Sequence, residues 1–225
     1  MASDIFVSRG GEKLEAAIKN FKLKISNLTV LDVGSSTGGF VDCLLQNGAK
    51  KVFALDTAYG ELAWKLRNDP RVVVMERTNI LYLDKLPPVI PAKAGIQNKD
   101  WIPDQHTRES SGLSPVGDDN TKVDLITIDA GWTKLELVLP VVKKFLKPGG
   151  IIIALLKPHY EADKKLLRKG VLPVDVAEKV KDEVLVKIEN LKLKIIGELV
   201  SPILGGAGNK EYLLLLKPLT TVTSS

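Results

Sequence analysis

Four charged residues stand where chemistry could be done: Asp32, Asp56, Asp129 and Lys157. Asp32 stands next to last in the short apolar run T-V-L-D-V, and the others close K-V-F-A-L-D, V-D-L-I-T-I-D and I-I-I-A-L-L-K. Such runs, rich in β-branched residues, read as buried strands. In an open parallel sheet the carboxyl ends of the strands converge on one crevice, so the four side chains should face one site. Asp56, ending the second strand, holds the usual position of an acid that accepts hydrogen bonds from both hydroxyls of a ribose. Taken singly, an acid or base at a strand end is more readily a helix cap or a solvated turn residue. Four on successive strands argue for a site.

The first of these strands runs into Gly34, Ser35, Ser36, Thr37, Gly38 and Gly39, and a helical pattern begins at Phe40. Strand, glycine-rich turn and helix open a nucleotide-type α/β domain. The glycines let backbone pass close to a ligand, and the helix start offers free N–H groups. The spacing is G-x-x-x-G-G. It is not the dinucleotide G-x-G-x-x-G, and no G-K-[ST] of a phosphate loop is present. A turn flanked by an acid and lacking a phosphate-binding lysine suits a cationic or neutral ligand, and S-adenosylmethionine is the candidate. The competing reading is a tight strand-to-helix turn without a ligand.

The elements that must hold these residues alternate. Residues 11–21 place Leu14, Ala17, Ile18 and Phe21 on one helical face. Strands are expected at 29–33, 51–56, 71–75, 123–129, 151–157, 193–201 and 211–217. Helices are expected from Phe40 to about Asn47, over 60–67, around Leu135–Phe145 and over 174–190, with an irregular basic stretch at 158–172. The expected fold is therefore α/β and Rossmann-like: a mostly parallel seven-stranded sheet, helices on both faces, and an antiparallel strand at the C-terminal end. One domain over 1–225 suits the length. Residues 87–122 break the rhythm with prolines at 87, 88, 91, 103 and 115, and read as a surface-loop insertion.

Composition narrows the function classes. Net charge is +5 and the isoelectric point about 9.1, a lean toward a polyanionic partner. Solvated basic faces explain the charge equally well. The single cysteine, Cys43, permits no intrachain disulfide and reads as core. The start, M-A-S-D-I-F-V-S-R-G-G, has no signal-peptide pattern, and no apolar run is long enough to cross a bilayer. A cytoplasmic enzyme fits these features.

Six ordered motifs carry a resemblance: S-R-G-G-E-K-L at 8–14, L-D-V-G-S-S-T-G-G-F-V-D-C-L-L at 31–45, W-K-L-R-N-D-P-R-V at 64–72, L-K-P-G-G at 146–150, L-L-K-P-H-Y-E at 155–161 and G-N-K-E-Y-L at 208–213. Together they resemble the hemolysin A (TlyA) group of FtsJ-like ribosomal RNA 2′-O-methyltransferases over nearly the whole chain outside 87–122. The resemblance implies a catalytic tetrad of Lys13, Asp129, Lys157 and Glu211. In it Lys157 is the base, Asp129 orients Lys157, and Glu211 positions Lys13 and the ribose. It also implies that S-adenosylmethionine is held by Asp32, Gly34, Ser35, Ser36, Thr37, Gly38, Gly39, Phe40, Asp56, Thr78, Asn79 and Asp129. Ser8, Arg9, Lys13 and Lys157 are expected to face RNA. The partner implied is ribosomal RNA or a ribosomal subunit, with no metal and no membrane.

Two features depart from the family pattern. The family usually carries an N-terminal RNA-binding module of the S4 type, and this chain begins where such a module would end. The segment after Asp129, usually V-S-F-I-S, here reads Ala130-Gly131-Trp132-Thr133-Lys134. Two other functions compete: a noncatalytic RNA- or cofactor-binding relic, and a haemolysin. The lack of an apolar span argues against the second.

Overall fold

A computed structural model describes residues 5–87, 122–131 and 133–219. Of the insertion expected over 87–122, residues 88–121 lie outside the described residues. Seven strands form one sheet: β1 (Thr29–Val33), β2 (Lys51–Leu55), β3 (Val72–Met75), β4 (Val123–Ile128), β5 (Leu146–Leu156), β6 (Leu193–Val200) and β7 (Tyr212–Pro218). Their order is β3-β2-β1-β4-β5-β7-β6. The first five are mutually parallel, and β7 runs antiparallel to both β5 and β6. This is the expected α/β sheet with its reversed C-terminal strand.

Side chains alternate across a pleated strand, so each strand supplies two cores. On one face Leu31, Phe53, Ile126, Ile152 and Leu214 pack beneath α4 (Leu135–Val142) and α6 (Val174–Asn190). On the other, Val30, Val52, Leu125, Ile153 and Leu213 pack against α1 (Gly10–Asn20) and α2 (Gly39–Gln46). Burying each such side chain stabilises by about 1.5–3 kcal/mol. The two layers therefore hold the strand ends, and whatever stands on them, in fixed relation. Cys43 is buried in the second layer, as expected of a core residue, and burial pushes its thiol up.

Three elements differ from expectation. The helix expected over 60–67 is only α3 (Trp64–Arg67). The preceding residues are held in a loop instead: Gly60 N donates to Glu76 Oε1 at 3.0 Å and Ala63 N to Thr37 O at 3.1 Å. Strand β5 starts at Leu146 rather than 151, because the register against β4 shifts between Val123 and Leu125 and absorbs K-P-G-G as a bulge. The stretch 158–172 contains a one-turn helix, α5 (Pro158–Glu161), and an Arg168–Val171 bridge.

Candidate active site

The order of strands reverses between β1 and β4, and open sheets of this kind bind ligands outside the carboxyl ends at that point. The Gly34–Gly39 turn stands there. Gly34 N and Ser35 N donate to Leu55 O at 2.9 and 3.1 Å, and Asp129 N donates to Val33 O at 2.9 Å. The turn is thus tied to the ends of β2 and β4. Gly38 has φ +100°, and a Cβ on it would overlap Leu66. Its glycine is required by backbone shape and by packing on α3.

Two cavities of about 250 and 340 Å³ adjoin at this edge and share Gly34, Ser36 and Asp129. The first is walled by Gly34 to Thr37, Gly39 and Phe40 on one side, and by Ser8, Arg9 and Lys13 on the other. The second is bounded by Asp56 and Lys157. Asp56 is fixed by two backbone donors, Ser36 N on Oδ2 at 2.7 Å and Ala58 N on Oδ1 at 2.8 Å. Each oxygen retains a second lone pair for a hydroxyl.

The charged residues meet as two ion pairs. Lys13 Nζ donates to Glu211 Oε2 at 2.5 Å, and both side chains are almost wholly buried. Lys157 Nζ lies 2.6 Å from Asp129 Oδ1, a contact of charge without the angles of a directed hydrogen bond. The sheet explains the meeting. Leu156 pairs with Tyr212 in the antiparallel β5–β7 ladder, so Lys157 and Glu211, the next residues outward, leave the same edge side by side. Helix α1 brings Lys13 to them from the other face. Glu211 fits only because Gly205 lacks a side chain: a Cβ there would overlap its carboxylate. Asn209 braces this loop, accepting from Leu172 N at 2.9 Å and donating to Gly170 O and Gly206 O at 2.9 and 3.0 Å.

Asp32 is fully buried. Thr127 Oγ1 donates to its Oδ1 at 2.6 Å, while Oδ2 has no hydrogen-bond partner among the described residues. Burial pushes its carboxyl up to about 7. A lone buried carboxylate oxygen two residues ahead of the glycine turn suits a ligand that carries positive charge.

Four of the expected cofactor residues, Asp32, Gly38, Thr78 and Asn79, do not line either cavity. Thr78 N donates to Asp56 O at 2.9 Å and its Oγ1 to Glu76 O at 3.0 Å. Asn79 Oδ1 accepts from Leu81 N at 3.0 Å and caps a short 3-10 turn. These residues shape the acid-bearing edge rather than touch its cavities. Conversely, Gly205, Gly206 and Gly131 line the cavities without having been expected there. The G-G-A-G-N-K-E run was the available signal for the first two. In the altered segment Ala130 is buried, Lys134 precedes α4, and Trp132 lies outside the described residues. Among the described residues no group of three or more His, Cys, Asp or Glu side chains could hold a metal, and no helix is long and apolar enough to cross a membrane.

The glycine turn and Asp56 border the cavities, while the unpartnered Asp32 oxygen is enclosed and lines neither. The class defined by this sheet order and this crevice is the Rossmann-like, S-adenosylmethionine-dependent methyltransferase. More narrowly, a sequence model described as FtsJ-like methyltransferase matches residues 6–218, and the chain belongs to that family. It is 39% identical over 215 residues to YqxC of Bacillus subtilis, covering 94% of this chain but 65% of YqxC. It is 34% identical over 217 residues to the "16S/23S rRNA (cytidine-2'-O)-methyltransferase TlyA" of Mycobacterium tuberculosis, covering 96% of this chain and 69% of that protein. A crystal structure from Lactococcus lactis, described as a hemolysin, matches with a TM-score of 0.75 at 37% identity over 94% of this chain and 88% of that one. The chain thus spans about two thirds of the length of the curated relatives it matches.

Proposed function

We propose that this chain transfers the methyl group of S-adenosylmethionine to a ribose 2′-hydroxyl of ribosomal RNA. The observation that carries the reading is the meeting of Lys13–Glu211 and Lys157–Asp129 at one sheet edge, with Asp129 common to both cavities. When bound, S-adenosylmethionine supplies an electrophilic methyl group already activated by its sulfonium. The turn residues Gly34 to Phe40 and Asp56 hold it, with Asp32 and Asp129 supplying negative charge, and Thr78 and Asn79 support the edge beneath. The chain's remaining work is alignment and proton removal.

Lys157, as the neutral amine, takes the proton that the 2′-hydroxyl loses as its oxygen accepts the methyl group. Asp129, 2.6 Å away, steadies the ammonium that results. Glu211 holds Lys13 at the cavity wall, where its cation and that of Arg9 attract the phosphates flanking the target ribose. Ser8 lies on the same wall. RNA affinity that rests on these phosphate contacts is salt-dependent.

The test is single-turnover transfer from labelled S-adenosylmethionine to ribosomal subunits, with the product mapped to 2′-oxygens. Lys157→Ala should lose about 10²–10⁴-fold in rate, the usual range for general-base catalysis. Lys157→Arg should be nearly as poor, because a guanidinium stays protonated. Arginine at wild-type rate would mean that alignment alone drives the reaction. A wild-type chain that binds cofactor yet methylates no ribosomal substrate would mark it as a binding relic.

A further inference from the structure

Tyr160 is 49% exposed, yet it stands on the same single turn as Lys157. An isolated surface aromatic needs no explanation. This one differs in how firmly it is held and in what it stands beside. Helix α5 is pinned at both ends. Before it, Lys157 pairs with Asp129; at its end, Glu161 Oε1 accepts from Leu135 N at 2.8 Å, tying α5 to the start of α4. Tyr160 N donates to Lys157 O at 2.9 Å. The His159 ring leans on the Tyr160 ring at 4.4 Å between centroids and 39° between planes. The phenol is therefore a fixed surface, not a loose one.

It stands behind Gly131 and Lys157, which line the second cavity. Lys157 Nζ lies 5.5 Å from the ring centroid. A Cβ on Gly131 would sit 3.5 Å from Tyr160 Cε2 and 3.6 Å from Lys157 Nζ, so this glycine borders ring and ammonium together. Gly131, Lys157 and Asp129 all line that cavity.

We propose that Tyr160 is the stacking platform for the base of the target nucleotide. The inference rests on the proposed ribose methylation. In a nucleotide the 2′-carbon and the carbon bearing the base are bonded neighbours. A 2′-oxygen at Lys157 thus brings its own base within reach of a ring 5.5 Å away. RNA-binding proteins read unpaired bases by stacking them on aromatic side chains. A base paired in a helix cannot present its face this way, so the substrate is an unpaired or extruded nucleotide. Stacking tolerates any base, so Tyr160 selects for an open nucleotide rather than for sequence.

The experiment compares Tyr160→Phe, Tyr160→Leu and Tyr160→Ala in the full chain, by single-turnover methyl transfer at saturating cofactor with ribosomal subunits varied. Phenylalanine should behave as wild type. Leucine and alanine should lower kcat/KM about 5- to 150-fold, the range that removing one stacked base gives. The loss should lie in the half-saturating subunit concentration, with cofactor affinity by calorimetry and the pH–rate profile unmoved. Leucine equal to tyrosine would overturn the proposal, as would a variant that shifts the pH profile and leaves half-saturation alone, since the ring would then act on Lys157. A second arm needs no catalysis. Single-stranded RNA containing 2-aminopurine should be quenched on binding wild type and Tyr160→Phe but not Tyr160→Leu. Equal quenching by all three overturns the stacking. Quenching without any methyl transfer by wild type overturns the reaction and leaves the stacking standing.

Discussion

Lys13 Nζ lies 2.5 Å from Glu211 Oε2, an ion pair that joins the first helix to the residue entering the last strand across 198 residues of chain. Breaking a buried pair from one side leaves a charge without compensation, which costs about 3–5 kcal/mol. Lys13→Met should destabilise by that order, because Glu211 is then enclosed against Gly205 with no counter-charge. The double variant Lys13→Met, Glu211→Gln removes both charges and should recover most of the loss in chemical denaturation. Methyl transfer should stay absent in it. A double variant with wild-type activity would reduce the pair to a structural tie.

Asp56 offers a second test. Asp56→Ala removes a charged acceptor from the ribose site, worth about 1.5–3 kcal/mol in S-adenosylmethionine affinity. It also frees Ser36 N and Ala58 N, which the carboxylate now holds. Asp56→Asn keeps one acceptor oxygen and should fall between the two. Calorimetry that finds the cofactor bound equally well by wild type and Asp56→Ala would remove Asp56 from the site.

The third prediction concerns pH. Asp32 has its carboxyl raised from 3.8 to about 7 by burial. Between those values the unfolded chain gives up the proton and the folded chain keeps it, so stability falls as pH rises from about 4 through 7. Thermal unfolding at pH 5.5 and pH 8 should show this fall in wild type. Asp32→Asn has no carboxyl to ionise and should show a smaller fall. Parallel curves for the two proteins would place the pH dependence elsewhere.

Most of the sheet was legible because its strands are written in local signals. Apolar β-branched runs such as Ile151–Ile153 have few alternatives in a chain of this length. The elements that went astray are those decided by distant partners. Residues 60–63 are not helical because Glu76 and Thr37 take their N–H groups. The K-P-G-G run joins β5 because β4 beside it tolerates a bulge. Gly205 looks like any loop glycine until the Glu211 carboxylate is seen filling the space beside it. Tyr160 is one letter in a motif until its ring is found beside the Lys157 ammonium.

By itself the sequence determined the strand-turn-helix at Thr29–Gln46, the acids that close the strands, and the order in which the motifs arrive. Each rests on periodicity or on a residue's own backbone preference, which act over a few positions. Only the tertiary structure decided which charges meet. The reversal of β7 sets Glu211 next to Lys157, and the packing of α1 on β7 and α2 carries Lys13 across to Glu211. Two burials without local cause followed from the same packing, that of Asp32 beside Thr127 and that of the Lys13–Glu211 pair. Such pairings span tens to hundreds of residues. No local preference encodes them, because their energy exists only once both cores have closed around the sheet.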